Sequence, residues 1–282
     1  MLKFAHLMST LSNLAQRSIV GFIFAVAVIG CALAGPLANG MLFLFFAAVG
    51  LYEVYDLLKH QQSNAPRWFK GMSVGVILYM LVFLVQTQSI EPLWFWILPL
   101  LIAIIFVAEL IKLDHLTLSN LAITIFGWIY VVLPLSLVNV LPTIQGIYDP
   151  VPLIGFFLVL WANDTGAYFV GKYLGKRKLY PEVSPNKTWE GLAGGSVVAI
   201  ASAIGLFKLT HTLYMQDWIV MAFCVVTFGN LGDLFESHLK RNFGVKDSGH
   251  IMPGHGGVMD RFDGLFLALP VFLAYYKIFY SL

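Results

Sequence analysis

Nine stretches of this chain are apolar enough to be read as membrane spans, and they constrain its fold before any other feature. They fall at roughly 18–35, 41–58, 72–87, 93–110, 120–141, 151–170, 193–210, 218–235 and 262–280. Most reach the ~17–25 residues a helix needs to cross a bilayer. The third is short and is extended by Phe69 or Thr87. Backbone groups in hydrocarbon must be paired within the segment that carries them, so an all-α polytopic bundle of about nine helices is expected. Composition agrees, with 59% of residues hydrophobic and 11% charged, against about 45–50% and about 25% in soluble domains.

Several function classes drop out at once. A net charge of +2, without a basic patch interleaved with aromatics, gives nucleic acid nothing to bind. Cys31 and Cys224 sit inside apolar runs and read as packing residues, and their spacing suits neither a disulfide nor zinc. Met1–Arg17 has a period that suits either an interfacial helix or a plain tail. The first apolar run has no small-x-small cleavage site before a soluble domain, so it reads as a retained helix. The chain divides for description into 1–92, with the interfacial segment and three spans, 93–171, with the middle spans, and 172–282, with the last spans and their long connections. All belong to one membrane unit.

Charge orients the spans. With the N-terminus cytoplasmic, 15 of the 17 Lys and Arg fall on cytoplasmic segments, leaving Lys208 and Lys277. The opposite connections, 36–40, 88–92, 142–150 and 211–217, carry none. Positive residues collect inside, so the C-terminus is expected outside. Glu53, Asp56, Glu109, Asp164, Asp233 and Asp263 then all lie in the cytoplasmic halves of their helices. A transporter would place charges near the midplane. Glu53 and Asp56, at i and i+3, either join a site there or cap the end of their own helix, and Glu109 is read the same way.

The run 230–264 holds nine of the 32 Asp, Glu, Lys and Arg of the chain. On a helix Asp233, Glu236, Ser237 and Lys240 share one face, and Asp260 and Asp263 repeat the i, i+3 relation at the next apolar run. Between them Gly249, Pro253, Gly254, Gly256 and Gly257 make a backbone able to approach phosphate closely. Carboxylates at such a mouth are costly unless they work, and hard oxygen ligands suit Mg²⁺ carried with phosphates. A second constellation runs from Trp161 to Gly191. Asn163, Asp164 and Thr165 interrupt an apolar span. Ser184, Pro185, Asn186 and Lys187 precede a helix starting near Thr188, whose amides can receive phosphate oxygens, with Glu190 in its first turn. Lys176, Arg177 and Lys178 read as topological anchors. His238, His250 and His255 lack zinc spacing; His255, between glycines, is a candidate phosphate contact.

The segment Ser237-His-Leu-Lys240-Arg241, then Lys246-Asp247-Ser-Gly, then Pro253-Gly-His255-Gly256-Gly257-Val-Met-Asp260-Arg261-Phe-Asp263 resembles the signature of phosphatidate cytidylyltransferases, or CDP-diacylglycerol synthases, without departure. Asp164-Thr165-Gly166 and Ser184-Pro-Asn-Lys187-Thr188-Trp-Glu190-Gly are similar to the same family. The likeness is strong from about Trp161 onward and weak before it. It implies transfer of CMP from CTP to phosphatidate, giving CDP-diacylglycerol and pyrophosphate, in a bacterial inner membrane. It also implies a homodimer and Mg²⁺, with K⁺ as an accompanying ion. The residues assigned on this basis are Asp233 and Asp260 to metal and Asp263 as a further acid. Lys187, Lys240, Lys246, His255 and Arg261 are assigned to phosphates, and Asp164, Ser184, Thr188, Glu190, Ser237, Gly256 and Gly257 to substrate. A CDP-alcohol phosphotransferase is the rival enzyme, but its Asp-Gly-x₂-Ala-Arg … Gly-x₃-Asp-x₃-Asp pattern is absent. The non-enzymatic rival is an ion-coupled transporter using Asp164 and Asp233.

Overall fold

Every long apolar stretch pairs its own backbone as a helix in the computed structural model, which describes residues 13–59, 68–110, 117–249 and 256–280. The helices are α1 (Asn13–Ala34), α2 (Pro36–Lys59), α3 (Trp68–Gln86) and α4 (Ile97–Leu110), the last entered through a 3₁₀ turn at Pro92–Trp96. The fifth span comprises α5 (Thr117–Gly127), a π-helical turn (Trp128–Val132), α6 (Leu133–Leu137) and a 3₁₀ turn (Val138–Thr143). Then come α7 (Val151–Leu174), α8 (Trp189–Thr210), α9 (Met215–Cys224), a second π turn (Val225–Gly229), α10 (Asn230–Asn242) and α11 (Met259–Tyr280). Among the described residues, seven spans are long and apolar enough to cross a membrane, and two shorter apolar helices, Ser18–Ala34 and Pro92–Val107, complete the series. The N-terminal segment before residue 13 lies outside the described residues.

The helices outrun the apolar stretches at their charged ends. The connection expected at 36–40 is helical. Pro36 opens α2, where a missing N–H and a fixed φ cost nothing, and the turn shrinks to Gly35 at φ +116°. Similarly α10 runs on to Asn242, and α11 begins at Met259, ahead of the apolar run. One feature departs from an all-helical reading. Lys178–Tyr180 (β1) and Ser184–Thr188 (β2) pair as a short antiparallel ribbon between α7 and α8.

Lipid offers no hydrophobic drive for helix association, so close packing and buried hydrogen bonds hold the bundle. Asn39 donates to Asn139 at 3.0 Å, Asn139 to the Tyr79 hydroxyl at 2.9 Å, and Tyr79 to the Gly40 carbonyl at 2.8 Å. The Trp128 indole reaches the Gly71 carbonyl at 2.8 Å. An aromatic cluster joins α1, α2, α7 and α11, with ring centroids 5.1 Å apart for Phe46–Phe262, 5.5 Å for Phe24–Phe262 and 5.6 Å for Phe157–Trp161. Each such pair contributes about 0.5–1.5 kcal/mol beyond burial. Phe262 sits between Arg261 and Asp263, so this cluster is the floor on which the charged residues stand.

Candidate active site

The acids converge because two helices pack at their backbones. A Cβ on Gly232 would collide with the Asp263 carbonyl, and one on Gly229 would stand 3.6 Å from that of Gly264. The π turn just before α10 ends at this crossing, and such turns recur at functional sites. The crossing brings Asp233 beside Asp263. Asp164, Asp233, Asp260, Arg261 and Asp263 line one cavity of about 360 Å³, with Trp161 in its wall. Helix α1 closes the cavity's apolar side with Phe24 and its neighbours.

Like charges crowd here, and cations offset them individually. Lys187 Nζ reaches from β2 to Asp233 Oδ2 at 2.6 Å. Ser237 donates to Asp233 Oδ1 at 3.2 Å, one turn along α10. Lys240 pairs with Asp260 and, at 3.0 Å, with the fully buried Glu236. Breaking a buried pair by removing one partner costs about 3–5 kcal/mol, because the other charge is stranded. Asp164 opens onto the cavity and takes a 3.3 Å hydrogen bond from the Asn163 amide. Asp263 accepts the amide of Gly264 at 2.7 Å.

Asp260 is the most constrained of the acids. Its Oδ1 accepts Lys240. Its Oδ2 accepts the Ser248 amide at 3.0 Å, the Ser248 hydroxyl at 2.9 Å and the Gly257 amide at 2.7 Å. A carboxylate has about four lone-pair sites; three donors crowd Oδ2, while Oδ1 keeps a site beside Lys240. The expectation that Gly256 and Gly257 face phosphate is qualified accordingly. Gly256, at φ +78°, bends the loop so that the Gly257 amide points at Asp260, and a Cβ on Gly256 would strike that carboxylate.

The remaining assigned residues fall as follows. Ser184 and Lys187 are half-buried on β2, and Thr188 is buried as the cap of α8. Two amides expected to be free at that helix start are already paired: Gly191 donates to Thr188 Oγ1 at 3.1 Å and Trp189 to the Arg177 carbonyl at 3.0 Å. Glu190 turns back to accept the Lys176 amide at 3.0 Å and the Arg177 amide at 3.1 Å, closing the base of the ribbon. Lys246 is exposed, as are Lys176, Arg177 and Lys178, while Arg261 is half-buried at the cavity. His250 and His255 lie outside the described residues, as does the side chain of Glu109; His238 is exposed. Sequence reasoning undervalued Glu53. It caps not its own helix but the head of α11, accepting the amides of Val258 at 2.9 Å and Met259 at 3.0 Å. Two hundred residues separate these partners, so no local pattern pointed to them.

Among the described residues no three of His, Cys, Asp and Glu lie close enough to enclose a metal ion unaided. The donor chemistry nevertheless fits a hard divalent cation whose shell is completed by water and phosphate oxygens. Asp164, Asp233 and Asp263 face one cavity with carboxylate oxygens not fully engaged. Asp260 lines the same cavity, and its Oδ1, with Lys240 as its one hydrogen-bond donor among the described residues, has a site left for a cation.

Comparison with known proteins identifies the family. The cytidylyltransferase family model matches residues 15–279. The phosphatidate cytidylyltransferase of Bacillus subtilis is 35% identical over 274 residues, 92% of this chain and 96% of that protein. Those of Staphylococcus epidermidis and Staphylococcus aureus are 49% and 48% identical over 117 residues, 41% of this chain and 45% of theirs. A match that runs from α1 almost to the end of α11 takes in every element around the cavity, and the chain belongs to the cytidylyltransferase family.

Proposed function

We propose that the protein transfers a cytidylyl group from CTP to phosphatidate, forming CDP-diacylglycerol and pyrophosphate. The observation that carries this reading is one cavity at the end of apolar helices, where carboxylates and cations meet an aromatic wall. A phosphatidate oxygen attacks the α-phosphorus of CTP, the bond to the β-phosphate oxygen breaks, and pyrophosphate leaves. That oxygen is already ionised near neutral pH, so no protein nucleophile is required. The chain's task is to align two anions and offset their charge. Lys187 and Arg261 are placed to meet phosphate oxygens, Lys187 by exchanging its pairing with Asp233. Lys240 holds Asp260. Mg²⁺, with K⁺ accompanying it, would be held by Asp233 with Asp263 or Asp164, and would neutralise charge on the phosphates. Asp260 would join them through Oδ1, beside Lys240.

Purified protein should release pyrophosphate from CTP only when phosphatidate is present. Solute flux without pyrophosphate release would instead favour a transporter, a reading that no relative supports.

The cavity is proposed to face the cytoplasm of a bacterial inner membrane, with the N-terminus on the same side. What supports this is the bias of 15 in 17 basic residues. Gly146→Cys should react with an impermeant thiol reagent added outside intact cells, and Tyr180→Cys should not; the reverse pattern would refute the orientation. A homodimer belongs to the same proposal. Its support is α8, of whose apolar window only 17% is buried, leaving Val197 and Leu209 facing outward.

A further inference from the structure

Glu53 takes no part in the chemistry above, yet it is 2% exposed and its carboxylate is engaged on both oxygens. Its Oε1 accepts the Val258 amide, and its Oε2 accepts the Met259 amide and lies 3.4 Å from the Ser248 hydroxyl. The two amides open α11, so a side chain of the second helix caps the last one, and an anion there is favoured by the helix dipole. Gly249 and Gly257 pack closely on this carboxylate. A Cβ on Gly249 would stand 2.5 Å from Glu53 Oε1, and one on Gly257 would strike both Glu53 and Ser248.

The same backbone presents Asp260. Ser248 gives it an amide and a hydroxyl, and Gly257 gives it an amide immediately before the two that Glu53 binds. The Ser248 hydroxyl has one hydrogen, and the shorter contact, 2.9 Å against 3.4 Å, assigns it to Asp260. Glu53 therefore holds the loop chiefly through the backbone amides.

We propose that Glu53 is a positioning residue for the transfer reaction: it fixes residues 256–259 and Ser248 so that Asp260 stays locked against Lys240 beside the cavity. The inference rests on the reading that Asp260 belongs to the working site.

The test uses the full-length protein in detergent or vesicles and compares Glu53→Gln, Gly249→Ala and Asp260→Asn with wild type. In Glu53→Gln one acceptor oxygen becomes an NH₂ group that faces an amide N–H. The expected result is a fall in kcat of about tenfold or more, with KM for CTP and for phosphatidate within about threefold. Backbone amide exchange across 256–260 should accelerate while exchange in α7 and α8 stays as in wild type. Gly249→Ala keeps the carboxylate but crowds it, and should reproduce the same pattern; it carries the test if Glu53→Gln does not fold. A wild-type kcat in either folded variant overturns the proposal. So does a loss of kcat with exchange at 256–260 unchanged, since Glu53 would then act other than through the loop. Asp260→Asn separates the two levels. If it retains wild-type turnover, the reading of Asp260 fails; if it is inactive while Glu53→Gln is normal, only the role of Glu53 fails.

Discussion

Asp217 and Asp233 lie on one span, Met215–Asn242, near its opposite ends, and their surroundings differ in kind. Asp217 is fully buried. Tyr275 donates to it at 3.1 Å, Tyr280 at 2.9 Å and the Tyr214 amide at 3.3 Å. Neutral donors surround it, and it ties the start of α9 to the end of α11. Asp233 is met by the Lys187 ammonium and the Ser237 hydroxyl, and it faces a cavity shared with other acids. A carboxylate enclosed by neutral donors is a structural tie. One held by an exchangeable cation beside like charges can accept a different cation or release its partner to a phosphate. The difference lies in which partners can leave.

The largest expected effect follows from that. Asp233→Asn keeps the size of the side chain and removes its charge. Several kcal/mol of charge stabilisation corresponds to a loss of turnover of about 10²-fold or more. Insertion and folding should be unaffected, and added Mg²⁺ should restore turnover fully only in wild type. Wild-type turnover and Mg²⁺ dependence in Asp233→Asn would remove this residue from the metal assignment and leave the two ends of the span alike.

Lys187→Ala comes next. Its Nζ pairs with Asp233 at 2.6 Å, and a charge-assisted hydrogen bond from it to a CTP phosphate would contribute about 1.5–3 kcal/mol. Turnover should fall and the apparent KM for CTP should rise, together lowering kcat/KM on the order of tens-fold if that full amount is lost. Near-normal kinetics at subsaturating CTP would make Lys187 a topological anchor like its neighbours at 176–178.

The helices show where sequence reading succeeds. Hydropathy located every span because lipid leaves the backbone no alternative to helix. The i, i+3 and i+4 spacing placed Asp233, Ser237 and Lys240 on α10 because one helix carries all of them. Contacts between distant elements were not legible. Glu53 reaches Val258, and Asp217 reaches Tyr280, only after the bundle closes, and neither acid differs locally from one that caps its own helix. The ribbon was hidden for another reason. Lys178–Tyr180 and Ser184–Thr188 carry Lys, Pro and Asn, poor strand formers, and are held by Glu190 and by α8 capping rather than by a buried face. Asp260 is assigned to metal from the sequence, and only the fold shows its four donors.

Asp217→Asn tests the other end. An amide fills the same space but replaces the anion on which two tyrosine hydroxyls converge. The loss should appear as stability, with apparent Tm in detergent lower by roughly 4–10 °C, taking about 2–4 °C per kcal/mol. Turnover at low temperature should stay within about twofold of wild type. If the folded variant lost turnover as Asp233→Asn does, the contrast between tie and working acid would break.

Tyr280→Phe is the finest test and the smallest expected effect. The Tyr280 hydroxyl reaches both oxygens of Asp217, at 2.9 and 3.0 Å, and accepts Gln216 Nε2 at 2.9 Å. Its ring stacks on Tyr214, with centroids 6.2 Å apart and planes inclined by 11°, and Phe preserves that contact. Removing only the hydroxyl leaves Asp217 with Tyr275 and the Tyr214 amide, so the acid keeps donors. The cost should be that of one hydrogen bond to a charged group, at most about 1.5–3 kcal/mol, and less where the wet end of the helix lets water replace the oxygen. The apparent Tm should fall by less than in Asp217→Asn, with KM for CTP and for phosphatidate unchanged. The double variant decides whether the tyrosine acts through the acid. If Tyr280→Phe adds nothing to Asp217→Asn, the two form one tie; if the losses simply add, the hydroxyl stabilises α11 independently and the tie is weaker than its geometry suggests.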